Sequence, residues 1–240
     1  MQTTKTSGDQ VALNDERIVQ PFSRRRFLGY VGATSALLAT AASCKKDKNS
    51  TNNNNGVDLG SGDVGILNYA YALEQLEAAF YTQVVATPYS GISALEMEYM
   101  TDIRNHEVAH REFFKAAITA AAPSSVIPGL EVNFSAIDFT SRTSVLGTAK
   151  AFEDLGVTAY NGAGQLISTT GNGPTYLTLA GKIVSVEGRH AALIADLIAP
   201  GSFADTTDSN ALDSARTPAQ VLAIAGAYIK TKINASNLPS

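Results

Sequence analysis

Two stretches of this chain set a glutamate three residues before a histidine: "EVAH" at 107–110 and "EGRH" at 187–190. With ten glutamates available, a given histidine meets that spacing by chance about 4% of the time, yet two of the three histidines here do so. Three residues is about one helical turn, so each pair projects from one face and can reach one metal ion or two adjacent ones. The second pair lies inside an apolar run, "IVSVEGRHAAL" at 183–193. A carboxylate buried alone there costs several kcal/mol, whereas a dication facing neutral imidazoles removes that penalty.

Two further glutamates extend the pattern. Leu73-Glu74-Gln75-Leu76 matches Phe152-Glu153-Asp154-Leu155, and Tyr81 and Tyr160 each follow their glutamate by seven residues. Glu74 precedes Glu107 by 33 residues and Glu153 precedes Glu187 by 34, so the chain contains a duplicated helix pair. The duplication predicts a pseudo-twofold bundle in which each half contributes one lone glutamate and one Glu-x-x-His. Glu77 competes with Glu74 for the inward face, but the repeat aligns it with Gly156, which favours Glu74. Tyr81 and Tyr160 read as buried tyrosines with satisfied hydroxyls, with donation to the ligands or a redox role as the alternative, and not as ligands themselves.

"HEVAH" at 106–110 is also a literal HExxH, the pattern in which two histidines bind zinc and the glutamate acts as base. In that reading His106 and His110 are ligands and Glu131 is a distant third. It leaves Glu74, Glu153, Glu187 and His190 without a role, and His106 has no counterpart in the repeat, where the equivalent residue is Val186. His106 is expected at the rim of the site.

The elements that must carry these residues are helical. Apolar periodicity predicts helices over 65–86, 93–122 with Ser93 as cap, 144–169, 173–199 and a shorter one over 217–232 with Thr217 as cap. Residues 123–143 hold two prolines and a glycine and form a long connection able to cross from one end of a bundle to the other. No alternating β-branched run is long enough to argue for a sheet, so the expected fold is an all-α four-helix bundle.

Upstream, "SRRRFLG" at 23–29 precedes a short apolar run, small residues and the single cysteine, Cys44. The stretch resembles a twin-arginine export signal joined to a lipoprotein signal, which implies lipidation of Cys44 and delivery to the cell envelope, with a short membrane anchor as the alternative. Residues 45–63 are polar and read as a flexible tether, with the folded domain, 64–240, starting near Val64. From Cys44 onward, 19 acidic residues face 13 basic ones, so attachment to a membrane would rest on lipid, and nucleic acid is not an expected partner.

The ligand pattern, together with "AYNGAGQLI", "IVSVEGRHAALI" and "TPAQVLAIAGAYI", resembles the ferritin-like superfamily, and within it exported proteins related to the desiccation-related group. The resemblance covers residues 64 to 232. It implies a ferritin-like four-helix bundle with a long crossover between its second and third helices. It also implies two Fe or Mn ions held by Glu74, Glu107, His110, Glu153, Glu187 and His190, with Glu107 and Glu187 bridging. The implied chemistry is redox, with oxygen or peroxide as the small-molecule partner. The alternative is a metal-free or metal-stabilised binding or stress-protection module of the same fold.

Overall fold

The computed structural model describes residues 56–205 and 208–240. The basic leader, Cys44 and residues 45–55 lie outside the described residues. Four long helices carry the fold: α1 (Gly62–Ala86), α2 (Ala94–Ala121), α3 (Arg142–Gly164) and α4 (Gly173–Ile198), followed by the short α5 (Pro218–Ala225). Helix α1 packs on α2, and α3 packs on α4, so the duplicated sequence folds as two helix pairs.

The caps follow local chemistry. Ser93 and Glu96 form a reciprocal capping box at the start of α2, and that helix ends two residues before Pro123. Ser141 caps α3, and the next residue, Arg142, sends its guanidinium to Glu96 at 2.8 and 2.5 Å and to the Leu197 carbonyl at 2.8 Å. One side chain therefore ties the start of α3 to the start of α2 and the end of α4.

Helix α1 is the centre of the bundle: 17 of its 25 residues are buried, including an unbroken run from Gly65 to Ala78. A helix apolar on nearly every face must be covered on every face. The crossover, residues 122–141, supplies part of that cover, and two polar residues of α1 hold it there. Asn68 donates to the Leu59 and Ser125 carbonyls and accepts from the Ile127 amide; Gln75 accepts from the Leu130 amide at 2.8 Å.

Three boundaries differ from the sequence expectation. Helix α3 stops at Gly164 rather than near Thr169 because the following turn packs against the start of the neighbouring helices. There Asp63 accepts the Ser168 amide and hydroxyl at 2.8 and 2.6 Å, and a Cβ on Gly173 would lie 1.9 Å from the Ser168 carbonyl oxygen. Helix α5 stops at Ala225 instead of running to Lys232. Beyond it Ile229 bridges Val132, and Ile233–Asn234 (β2) pairs in parallel with Val57–Asp58 (β1). Ile229, Thr231 and Ile233 alternate β-branched side chains, a preference for extended backbone that the helical reading of this segment overlooked. The same pairing draws in residues 56–63, which the sequence assigns to the tether: Leu59 is buried, and its amide bonds to the Asn234 carbonyl at 3.0 Å.

Candidate metal centre

Each of the four long helices contributes to one buried cluster between the helix pairs. Glu74 comes from α1, Glu107 and His110 from α2, Glu153 from α3, and Glu187 and His190 from α4. All four carboxylates are buried completely. The ligand atoms sort into two groups of four, each with its members within 4.8 Å of one another: Glu74, Glu107, His110 and Glu187, and Glu107, Glu153, Glu187 and His190.

The shared members divide their oxygens between the groups. His110 Nδ1 lies 2.9 Å from Glu187 Oε1, 3.5 Å from Glu107 Oε2 and 3.5 Å from Glu74 Oε2. His190 Nδ1 lies 2.9 Å from Glu107 Oε1, 3.4 Å from Glu153 Oε2 and 3.7 Å from Glu187 Oε2. Glu107 and Glu187 thus offer one oxygen to each position, while Glu74 and Glu153 offer a single oxygen to one position only. The free oxygens of that second pair are taken by tyrosines from the opposite half. Tyr81 donates to Glu153 Oε1 at 2.5 Å, and Tyr160 donates to Glu74 Oε1 through a short bond. Each tyrosine turns its glutamate so that the remaining oxygen faces the cluster.

These atoms are close together but are not hydrogen-bonded to one another in direction. Among the described residues, 11 buried side-chain polar atoms lack a hydrogen-bond partner, and eight of them are the cluster-facing atoms of these six residues. Buried polar atoms are normally paired. Eight orphans aimed at one place fit a pair of cations that would take them as ligands, and an all-oxygen and imidazole donor set suits Fe, Mn or Zn.

The electrostatics say the same. Burial alone would depress both imidazoles, but the carboxylates around them outweigh it and hold His110 and His190 up at about 12. Burial works against Glu107 as well, yet the two histidines beside it bring it down to about 2. Burial raises Glu153 to about 8, despite His190, and raises Glu74 well above the carboxylate range. Without cations the cluster keeps its charge tolerable only by retaining protons on groups that would otherwise shed them.

Glu77, the sequence competitor of Glu74, belongs to neither group, although it is buried too. Burial and repulsion by Glu107, Glu187, Glu153 and Glu74 push its carboxyl well above the usual range. It faces Gly156, where an added Cβ would sit 3.1 Å from Glu77 Oε1 and 3.8 Å from Glu187 Oε2. The two aligned positions of the duplication therefore meet in space, where a side chain at 156 would crowd the Glu77 carboxylate. His106 lies at the rim with its ring stacked on His190, and Glu131 is a surface residue paired with Lys230 at 2.8 Å and present in neither group.

Residues 62–200 match the model of the ferritin-like domain, a span that takes in all four long helices and every residue of the cluster. The chain belongs to the ferritin-like domain family. No curated protein matches it significantly. In this ferritin-like chain the two helix pairs and the long crossover between α2 and α3 bring one carboxylate or one Glu-x-x-His from each helix to the bundle centre. Sequence reasoning did not anticipate the exchange of tyrosines between halves, the contact of His106 with His190, or the meeting of Glu77 with Gly156. The Tyr81 and Tyr160 alignment was the one available signal for the first, and nothing local signals the other two.

Proposed function

We propose that this is an exported ferritin-like protein, lipid-anchored at Cys44, in which Glu74, Glu107, His110, Glu153, Glu187 and His190 hold a carboxylate-bridged pair of Fe or Mn ions for redox chemistry on oxygen or peroxide. The observation that carries the metal reading is the convergence on one place of eight buried atoms from these six residues, none of which makes a hydrogen bond. Four carboxylates balance two dications, so the loaded centre would be nearly uncharged and tolerate burial. When bound, the pair would supply the capacity to exchange electrons with oxygen or peroxide.

The chain's own residues do the rest. Glu107 and Glu187 span the two positions, and Glu74 and Glu153 close the ends under the hold of Tyr160 and Tyr81. Helix α1, buried from Gly65 to Ala78, covers one side. On the other, the His110 side chain keeps 12% of its surface exposed, against none for Glu74, which leaves the histidine side as the approach for a small oxidant. The export half of the reading rests on the twin-arginine pattern and Cys44 alone. That route carries folded proteins, so the centre could load before export.

Metal analysis of the purified protein, followed by oxygen and peroxide consumption, tests this. Two Fe or Mn per chain, lost in Glu107→Ala and Glu187→Ala together with oxidant consumption, is the expected result. A chain that stays metal-free after anaerobic reconstitution refutes it. One Zn that survives Glu187→Ala, with peptide cleavage lost in Glu107→Ala, would replace it with the protease reading.

A further inference from the structure

His106 is the one histidine that the metal reading leaves unused. It stands on α2 one turn before His110, exposed at the rim, and reaches across to α4. Its ring lies nearly parallel to that of His190, at 10° and 5.2 Å between centroids, and its Nδ1 is 2.9 Å from His190 Nε2. The opposite nitrogen of His190, Nδ1, is the one turned toward Glu107, Glu153 and Glu187. The two nitrogens of His190 thus have separate tasks, one inward and one outward.

A neutral imidazole carries its proton on one nitrogen and a lone pair on the other. For Nδ1 to offer a lone pair to a cation, the proton must be on Nε2, and a buried N–H there needs an acceptor. His106 Nδ1 is at the distance to be that acceptor. In the other half of the duplication the residue corresponding to His106 is Val186, which offers no acceptor. The two imidazole positions are therefore equivalent in their inward contacts and unequal in their outward ones.

We infer that His106 is a positioning residue: by accepting the Nε2 proton of His190 it fixes the tautomer whose bare Nδ1 faces the carboxylates, and so tightens the cation position at His190 relative to the one at His110. The inference rests on the metal reading proposed above. It gives the extra histidine of "HEVAH" a task that is neither zinc ligation nor a merely exposed surface residue. It also makes the two positions of a duplicated site unequal through a residue outside the six.

The test is titration of the metal-free full chain with Mn(II), following free Mn(II) by its paramagnetic resonance signal, for the parent, His106→Leu and His106→Gln. Losing the partner that orients a ligating histidine costs about 10–100-fold in affinity. In His106→Leu one of the two binding steps should weaken by that factor while the other stays unchanged, and the melting temperature of the metal-free chain should hold. His106→Gln, whose amide oxygen can accept the same proton, should recover most of the loss. In the parent loaded with diamagnetic Zn(II), imidazole nitrogen resonances should show the His190 proton on Nε2. Parent-like isotherms for His106→Leu, equal weakening of both steps with a lowered melting temperature, or no recovery in His106→Gln would overturn the inference while leaving the metal reading intact. A parent that binds no Mn(II) would overturn both.

Discussion

Loading the proposed site must displace protons, and their number follows from the groups that hold them. In the metal-free chain His110 and His190, raised to about 12, are fully protonated at pH 7. Glu153, raised to about 8, is about nine-tenths protonated at that pH, and Glu74 lies well above its usual range. A cation takes the atoms where those protons sit, because imidazole and carboxylate ligands must be deprotonated. Binding of two cations at pH 7 should therefore release about three protons per chain from His110, His190 and Glu153, with any held by Glu74 in addition, and the overall association constant should rise by at least about 10³ per pH unit near neutrality. Calorimetric titration with Mn(II) in buffers of different ionisation enthalpy reads this number directly, as the slope of observed heat against buffer heat. Fewer than one proton released, or net uptake, would refute the reasoning, since it would mean that the six residues are not the ligands or do not hold those protons.

The same groups make the metal-free fold sensitive to alkali. Glu153, raised from 4.5, contributes stability that is full below about pH 4.5 and is lost as pH climbs through about 8; the histidines, raised from 6.5, lose theirs as pH climbs through about 12. Melting in the presence of chelator should accordingly fall from pH 5 to pH 9, and a flat or rising profile would contradict the assignment. Tyr160→Phe should leave Glu74 Oε1 buried without its donor and cost about 1–3 kcal/mol in urea unfolding; a loss of only a few tenths would show that the bond is dispensable. Gly162→Ala would bring a Cβ within 1.9 Å of the Arg216 carbonyl oxygen and should cost about 3 kcal/mol, whereas Gly181→Ala, which meets nothing within 4 Å, should stabilise α4 by up to about 1 kcal/mol. Equal effects of the two substitutions, measured by denaturant midpoint, would count against the packing at Arg216.

The parts of the site legible in the sequence are those set by helical spacing. Glu107 with His110 and Glu187 with His190 share a face because three residues make one turn, and the duplication carried the same logic to Glu74 and Glu153. What spacing cannot convey is which partner lies across the bundle. Tyr81 and Tyr160 were aligned with each other, but that each serves the other half's glutamate depends on how α1 meets α3. Glu77 and Gly156, equivalent positions of the repeat, are also neighbours in space, which the alignment cannot convey. At the chain's end, the segment after Gly226 was given to a helix because its apolar residues also fit that period. The pairing of β2 with β1 decides the matter through residues almost the whole domain apart in sequence.

In the proposed function two cations would sit side by side, with Glu107 and Glu187 within reach of both. Anomalous diffraction from crystals of the Mn(II)-loaded chain tests it most directly. The account predicts two anomalous peaks about 3.5–4 Å apart, one beside His110 Nδ1 and Glu74 and the other beside His190 Nδ1 and Glu153. A single peak between His106 and His110, or no peak among the six residues, would contradict it.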